Sequence, residues 1–98
     1  MTILMIHDTP GITEEAMREF ERLGLIDKLT AAPGFGGHCS GPTDTGYRVV
    51  ELWDSRESWR AWFEGNVASN MPPGAPVGEP TFFDLARVIP APKTPIQG

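Results

Sequence analysis

Runs of alternating or continuous apolar residues mark four short strands along this chain, and two stretches with helical spacing lie between them. Thr2-Ile3-Leu4-Met5-Ile6-His7 is apolar on both faces, the pattern of a strand inside a sheet. Pro10-Gly11 makes a turn, and Thr13 caps a helix whose first turn holds Glu14 and Glu15, where the helix dipole favours carboxylates. Ala16, Met17, Phe20 and Leu23 fall on one stripe of that helix, Arg18, Glu19 and Arg22 lie off it, and Gly24 is placed to end it. Leu25 to Ala32 reads as a connector with room for a short helical turn.

Pro33-Gly34 opens a second strand over Phe35 to Ser40, in which Gly36-Gly37 predicts a bulge or a close backbone approach. Gly41 to Gly46 is then a hairpin loop. Tyr47 to Trp53 is the clearest strand, with Tyr47, Val49, Glu51 and Trp53 on one face and Arg48, Val50 and Leu52 on the other. Ser55 caps a helix expected to run to Asn70 and to stop at Pro72-Pro73. Thr81 to Val88 is the last strand, with Phe83, Leu85 and Arg87 opposite Phe82, Asp84, Ala86 and Val88.

The order β-α-β-β-α-β predicts an α+β, ferredoxin-like domain: an antiparallel sheet with both helices on one face. Residues 1–89 form that domain, and 90–98 a Pro-rich tail. Val50 and Leu52 make the helix-free face partly apolar as well. A second copy of the chain is the cheapest cover for it, so a homodimer is expected.

Ninety-eight residues suffice for one domain. A net charge of −5 without a basic cluster argues against nucleic acid and anionic membranes as partners. No apolar run is long enough to span a bilayer, and Met1 leads into a strand pattern without the basic start of a signal peptide. The single cysteine, Cys39, has no partner for an internal disulfide; it is expected to be a small buried residue in a cytoplasmic protein. The prolines and glycines gather in turns, between Pro72 and Pro80, and in the tail, as punctuation.

The second helix draws attention. Trp59, Trp62, Phe63, Asn66, Val67 and Asn70 share one stripe at helical spacing. The aromatic rings suit a core as well as a pocket, but an amide on an apolar stripe costs free energy unless something hydrogen-bonds it. A cleft holding water or ligand meets that need, so Trp53, Trp59, Trp62, Asn66 and Asn70 are candidate substrate-binding residues. His7 is expected at the end of the first strand, on the face of Ile3 and Met5, as a donor or base at the mouth of the cleft. His38 is a second candidate, its facing dependent on the bulge. Glu51, on the Trp53 face, is either a buried catalytic base or the ion-pair partner of an arginine such as Arg87. Two distant histidines make no metal site. Gly34-Phe35-Gly36-Gly37 lacks the lysine and helix of a phosphate loop, and no serine stands in a nucleophile elbow.

Pro10-Gly11-Ile12-Thr13, Pro33-Gly34-Phe35 and above all Val50-Glu51-Leu52-Trp53-Asp54-Ser55 followed by a helix resemble the dimeric α+β barrel superfamily. Within it, the chain looks most like the antibiotic-biosynthesis-monooxygenase-like proteins, over roughly residues 2 to 88. The resemblance is specific for fold and broad for function, since members include cofactor-independent oxygenases of polycyclic phenols, polyketide cyclases, small lactone isomerases and heme-degrading monooxygenases. In the heme-degrading branch the helix tryptophan, here Trp62, is joined by an asparagine at the end of the first strand and a histidine near the end of the second helix. This chain has His7 at the first position and Asn70, Met71 and Pro72 near the second. The resemblance therefore implies a cofactor-free enzyme, a monooxygenase or a cyclase-like protein, acting on a polycyclic aromatic or polyketide small molecule. An aromatic slot with Trp62, Asn66, His7 and His38 would stabilise a substrate anion, and His38 or Glu51 would remove a proton next to a carbonyl. The alternatives are a non-catalytic small-molecule-binding dimer and a heme-binding or heme-degrading monooxygenase.

Overall fold

The structure is a computed structural model and describes residues 2–71 and 78–89. The expected stop at Pro72-Pro73 and the tail 90–98 lie outside these residues. The elements are β1 (Ile3–Pro10), α1 (Glu14–Arg22), α2 (Leu25–Thr30), β2 (Phe35–Pro42), β3 (Gly46–Trp53), α3 (Arg56–Trp62) with two further helical turns to Asn70, and β4 (Thr81–Asp84). The strands form one antiparallel sheet in the order β2-β3-β1-β4.

Register decides what this sheet buries. β1 pairs with β3 from Ile3↔Trp53 to Pro10↔Gly46, so Ile3, Met5 and His7 lie beside Trp53, Glu51 and Val49. Side chains alternate across a strand, and this set faces the helices. Ile3, Met5, Trp53, Trp59 and Trp62 form the core with Leu25 and Leu29, and Phe20, Phe35, Phe63 and Phe82 pack at its margin. Leu4, Ile6, Val50 and Leu52 point the other way and are only half-buried. Thr13 caps α1 by accepting from the Ala16 N–H at 3.1 Å, and Ser55 caps α3 by accepting from the Ser58 N–H at 3.1 Å. Both caps are as the sequence indicates. Gly24, at φ 82°, follows the last turn of α1 in the left-handed conformation that glycine supplies cheaply.

The structure departs from the sequence reading at several places. β1 continues to Pro10, so His7 lies within the strand and not at its end. The connector after Gly24, read with room for a short helical turn, is helical over all of Leu25–Thr30, because Leu25 and Leu29, four apart, both bury into the core. Leu23, placed on the buried stripe of α1, is 52% exposed because the helix has ended at Arg22. β4 stops at Asp84, which pairs with Ile3 at the start of β1, and only the Leu85 N–H to Thr2 carbonyl bond (3.0 Å) follows. Cys39 is exposed. The β2 register shifts between Phe35 and Gly37, which sets His38 opposite Glu51 on the helix side and turns Cys39 to the uncovered face of this edge strand.

On that uncovered face Arg48 pairs with Asp8 across β3 and β1 through two hydrogen bonds, of 2.6 and 3.0 Å. The guanidinium holds the Asp8 carboxyl below its ordinary range. Among the described residues no helix is long and apolar enough to cross a membrane.

Gly46 opens β3 where β1 turns into Pro10-Gly11, and a Cβ there would run into the Thr9 carbonyl, Pro10 Cα and Gly11 N. All three are backbone atoms, which cannot swing aside. Gly46→Ala is expected to cost about 1–3 kcal/mol in chemical denaturation. Gly41→Ala, whose Cβ meets nothing within 4 Å, should leave the midpoint close to the parent.

Candidate functional site

An apolar cleft of about 110 Å³ lies between the sheet and the helices. One water needs roughly 10–15 Å³ on the same measure, so the space accepts a ligand of several heavy atoms before any movement. Its floor is Met5, His7, Val49, Glu51 and His38 from the sheet. Trp59, Trp62, Phe63, Val67 and Met71 form one wall; Met17, Phe20, Leu25, Ile26 and Leu29 of α1 and α2 form the other.

Three polar residues on this floor are joined. Glu51 is 4% exposed, and such a carboxylate needs donors to replace lost water. Trp53, two residues on and so on the same face of β3, donates its Nε1–H to Glu51 Oε1 at 3.0 Å. His38, directly opposite on β2, donates Nδ1–H to Glu51 Oε2 at 2.7 Å. A carboxylate only accepts, so the neutral His38 ring leaves Nε2 as its lone-pair nitrogen. Nε2 lies 3.0 Å from Ser40 Oγ, at the more open side of the cleft. The result is a carboxylate-oriented imidazole whose outer nitrogen can take up a proton. Arg87, the other partner considered for Glu51, lies beyond the end of β4 and takes no part.

His7 is also 4% exposed. Its Nε2 lies 2.6 Å from the Gly78 carbonyl, and its ring stands edge-on to Trp59 and Phe63 at centroid distances of 5.9 and 5.5 Å. Trp59 and Phe63 stack on each other at 5.0 Å, and Phe82 meets Trp59 edge-on at 5.4 Å. The sheet and α3 thus hold His7 in an aromatic cage.

The two asparagines are placed otherwise than the helical projection indicates. After Trp62 the helix widens into a π-helical turn over Phe63–Val67, in which the Ala68 N–H reaches back to the Phe63 carbonyl, and a 3₁₀ turn follows over Ala68–Asn70. Widening the turn delays the inward stripe by one residue. Trp59, Phe63, Val67 and Met71, spaced by four, therefore line the cleft, and Asn66 and Asn70 fall outside its lining. Their amides are satisfied locally: Asn66 Nδ2 donates to the Trp62 carbonyl at 3.2 Å and Asn70 Nδ2 to the Asn66 carbonyl at 2.6 Å. Gly65 in mid-turn is the sequence mark of this irregularity.

Of the sequence candidates, the structure brings together His7, His38, Glu51, Trp59 and Trp62 around one cleft. Trp53 is fully buried beneath it and acts through Glu51. Ser40, Met71 and the α1–α2 wall were not among the candidates. Ser40 was concealed by the bulge, Met71 by the π turn, and the leucines of α2 by reading that segment as a connector. Among the described residues no group of three His, Cys, Asp or Glu side chains is placed to hold a metal ion.

The sheet order, the covering helices and the cleft between them define a ferredoxin-like α+β fold. No family model matches the chain, and no curated protein matches it in sequence. Solved structures do. The heme-degrading protein Rv3592 from Mycobacterium tuberculosis, in its heme-free form, is similar at 23% identity and a TM-score of 0.52, over 92% of this chain and 100% of that one. A mutant of MhuD with two manganese protoporphyrin IX groups per active site gives 17% identity and a TM-score of 0.58, over 93% and 100%. SnoaB, a cofactor-independent oxygenase from Streptomyces nogalater, matches more loosely, at 19% identity and a TM-score of 0.46 over 92% and 96%. The first two likenesses, both with a TM-score above 0.5, establish the fold.

If Trp53 anchors Glu51, Trp53→Phe should leave a buried carboxylate oxygen without its donor. The expected loss is about 1–3 kcal/mol in a denaturant titration. In the Glu51→Gln background the same change should cost measurably less, because the charge that needs the donor is gone.

Proposed function

We propose that this protein is a cofactor-independent enzyme, a monooxygenase or cyclase-like protein, acting on a polycyclic aromatic or polyketide small molecule. The observation that carries this reading is the Trp53–Glu51–His38 cluster on the floor of an otherwise apolar cleft. In the resting site the Ser40 hydroxyl faces His38 Nε2; an acidic O–H or C–H of the substrate displaces it and gives up its proton there. Glu51, held by Trp53, stabilises the imidazolium that forms. The aromatic wall of Trp59, Trp62 and Phe63 holds a flat ring system and keeps water from the anion. Such an anion passes one electron to O₂, and the two radicals combine as a peroxide. The peroxide takes the proton back from His38 and expels water, leaving a new carbonyl. Overall one O₂ converts a CH₂ of the substrate into C=O and one water. In the cyclase-like variant the same carbanion attacks a carbonyl of its own molecule.

The cleft does not suit heme. The wall from α3 to Met71 carries no histidine among the described residues, and both histidines lie on the sheet floor. His7 Nε2 and His38 Nδ1, committed to Gly78 and Glu51, are the hydrogen-bearing nitrogens; what the cleft lacks for heme, among the described residues, is a histidine on the helix wall.

An anthrone, the keto form of a polycyclic phenol, is a suitable probe. Its conversion to the quinone, followed by absorbance and O₂ uptake, is expected with the protein alone. His38→Ala should lower kcat by about 10²–10⁴-fold, the usual contribution of a positioned base. Turnover unaffected by His38→Ala would remove the mechanism, and tight binding without any O₂ uptake would favour a non-catalytic binding protein.

The active form is proposed to be a homodimer formed through the uncovered sheet face. Leu4, Ile6, Val50 and Leu52 make that face apolar, and Phe83 on the neighbouring β4 is 46% exposed. A face of this kind is costly to leave in water. Sedimentation should give twice the chain mass of 10.7 kDa. Leu52→Glu, which places a charge at the centre of the face, should give the single-chain mass.

A further inference from the structure

His7 is a buried imidazole that the proton-transfer step does not use, and its geometry fixes what it offers to the cleft. A carbonyl oxygen can only accept, so the 2.6 Å contact with Gly78 requires that Nε2 carry the hydrogen. The neutral ring then has its lone pair on Nδ1. Among the described residues Nδ1 has no hydrogen-bond partner, yet no fully covered side-chain nitrogen or oxygen lacks one. With no partner among the described residues, Nδ1 is left available on a ring that lines the cleft. The ring cannot readily flip to exchange its nitrogens, because Trp59 and Phe63 both stand edge-on to it. Gly78 is held as well: a Cβ there would strike the Asp8 carbonyl, so only glycine lets this backbone pass so close to β1.

We propose that His7 is the specificity residue of the cleft: Nδ1, fixed as an acceptor by the Gly78 carbonyl, receives a hydrogen bond from a hydroxyl of the ligand. The ligand class is thereby narrowed to polycyclic molecules that present an O–H, not a carbonyl or an ether, at the His7 end. This rests on the reading of the cleft as a polycyclic-ligand site and adds a second point of recognition to it. His7 and His38 lie on β1 and β2 with β3 between them and are offset by one pair of residues. At ordinary strand spacing their Cα atoms are about 12 Å apart. The two groups therefore address opposite ends of a fused-ring ligand and not one shared atom. A site built to accept from a hydroxyl discriminates strongly against the analogue without one, because its buried lone pair is left unpaired.

The test is binding, read by quenching of tryptophan fluorescence at a pH where the phenol keeps its proton. The probes are a hydroxyanthracene and its methyl ether, which keeps the ring system and the oxygen but loses the donor. The wild-type protein is expected to bind the hydroxy compound about tenfold more tightly, equivalent to about 1.4 kcal/mol. In His7→Phe, which preserves an aromatic ring in the cage, that preference should vanish with ether binding retained. As a measurement that needs no variant, long-range ¹H–¹⁵N NMR of the wild-type chain should show His7 protonated on Nε2 and bare on Nδ1. The opposite tautomer, equal binding of the two probes, or a preference that survives in His7→Phe would each overturn the proposal. Failure of both probes to bind would overturn the polycyclic-ligand reading itself, and this proposal with it.

Discussion

The buried carboxylate of Glu51 is the constraint around which the interior is arranged. An ionised group at that depth is tolerable only if hydrogen-bond donors replace its water, and the protein supplies two from opposite directions. Trp53 reaches it along its own strand, and His38 reaches it across the β2–β3 ladder. Each donor is thereby fixed. The indole cannot turn without stranding an oxygen, and the imidazole cannot change tautomer without losing its charged partner. One requirement of burial thus places the largest core side chain and the chemically most useful one. The β2 bulge serves the same end, because without its shift in register His38 would face away from the helices.

The rest of the cleft is built by contrast with this polar pair. Aromatic and aliphatic side chains from every helix line the cleft around Glu51, while His38 Nε2 stands at its exposed edge beside Ser40, so a charge that develops there meets a fixed acceptor on the inner side and solvent on the outer. Low polarity strengthens the interaction between an imidazolium and its carboxylate, and it disfavours charge anywhere else in the cleft. His7 is kept apart from that pair by the intervening strand and is answered by a backbone carbonyl instead. Two imidazoles in one cleft thus have different partners: one is oriented by a charge, the other by a neutral dipole.

Much of this architecture was legible in the sequence, where two rules act locally. The period-two pattern of Tyr47 to Trp53 put Glu51 and Trp53 on one face without saying which side of the sheet it was, and Thr13 and Ser55 announced the starts of α1 and α3. The order of elements gave the sheet topology, because short antiparallel connections leave few alternatives. What failed was whatever depends on counting through an irregularity. The glycine pair announced a bulge without saying which way Cys39 and His38 would turn, since a single inserted residue reverses every later side chain. The helix projection from Trp59 placed Asn66 and Asn70 inward because it assumed an unbroken period of 3.6. The short segment after Gly24 showed only two leucines four apart, too little periodicity to separate a one-turn helix from a loop. Each miss follows from a change of phase and not from a misjudged residue preference.

The widened turn at Phe63–Val67 has a consequence for how such a cleft can vary. It works as a one-residue phase shifter: upstream of it, the helix keeps its register on the sheet, and downstream every side chain is rotated relative to the cleft. Val67 would face inward on a regular helix too, but Met71 lines the cleft because the turn is wide. The same residues wound as an unbroken α-helix would bring Asn66 and Asn70 round toward the aromatic wall, whereas losing one residue from the turn would be absorbed there and leave Val67 and Met71 facing the cleft. In this fold the lining of a pocket can therefore be set by the hydrogen-bond period of one turn, with the sheet, its buried carboxylate and both histidines left where they are.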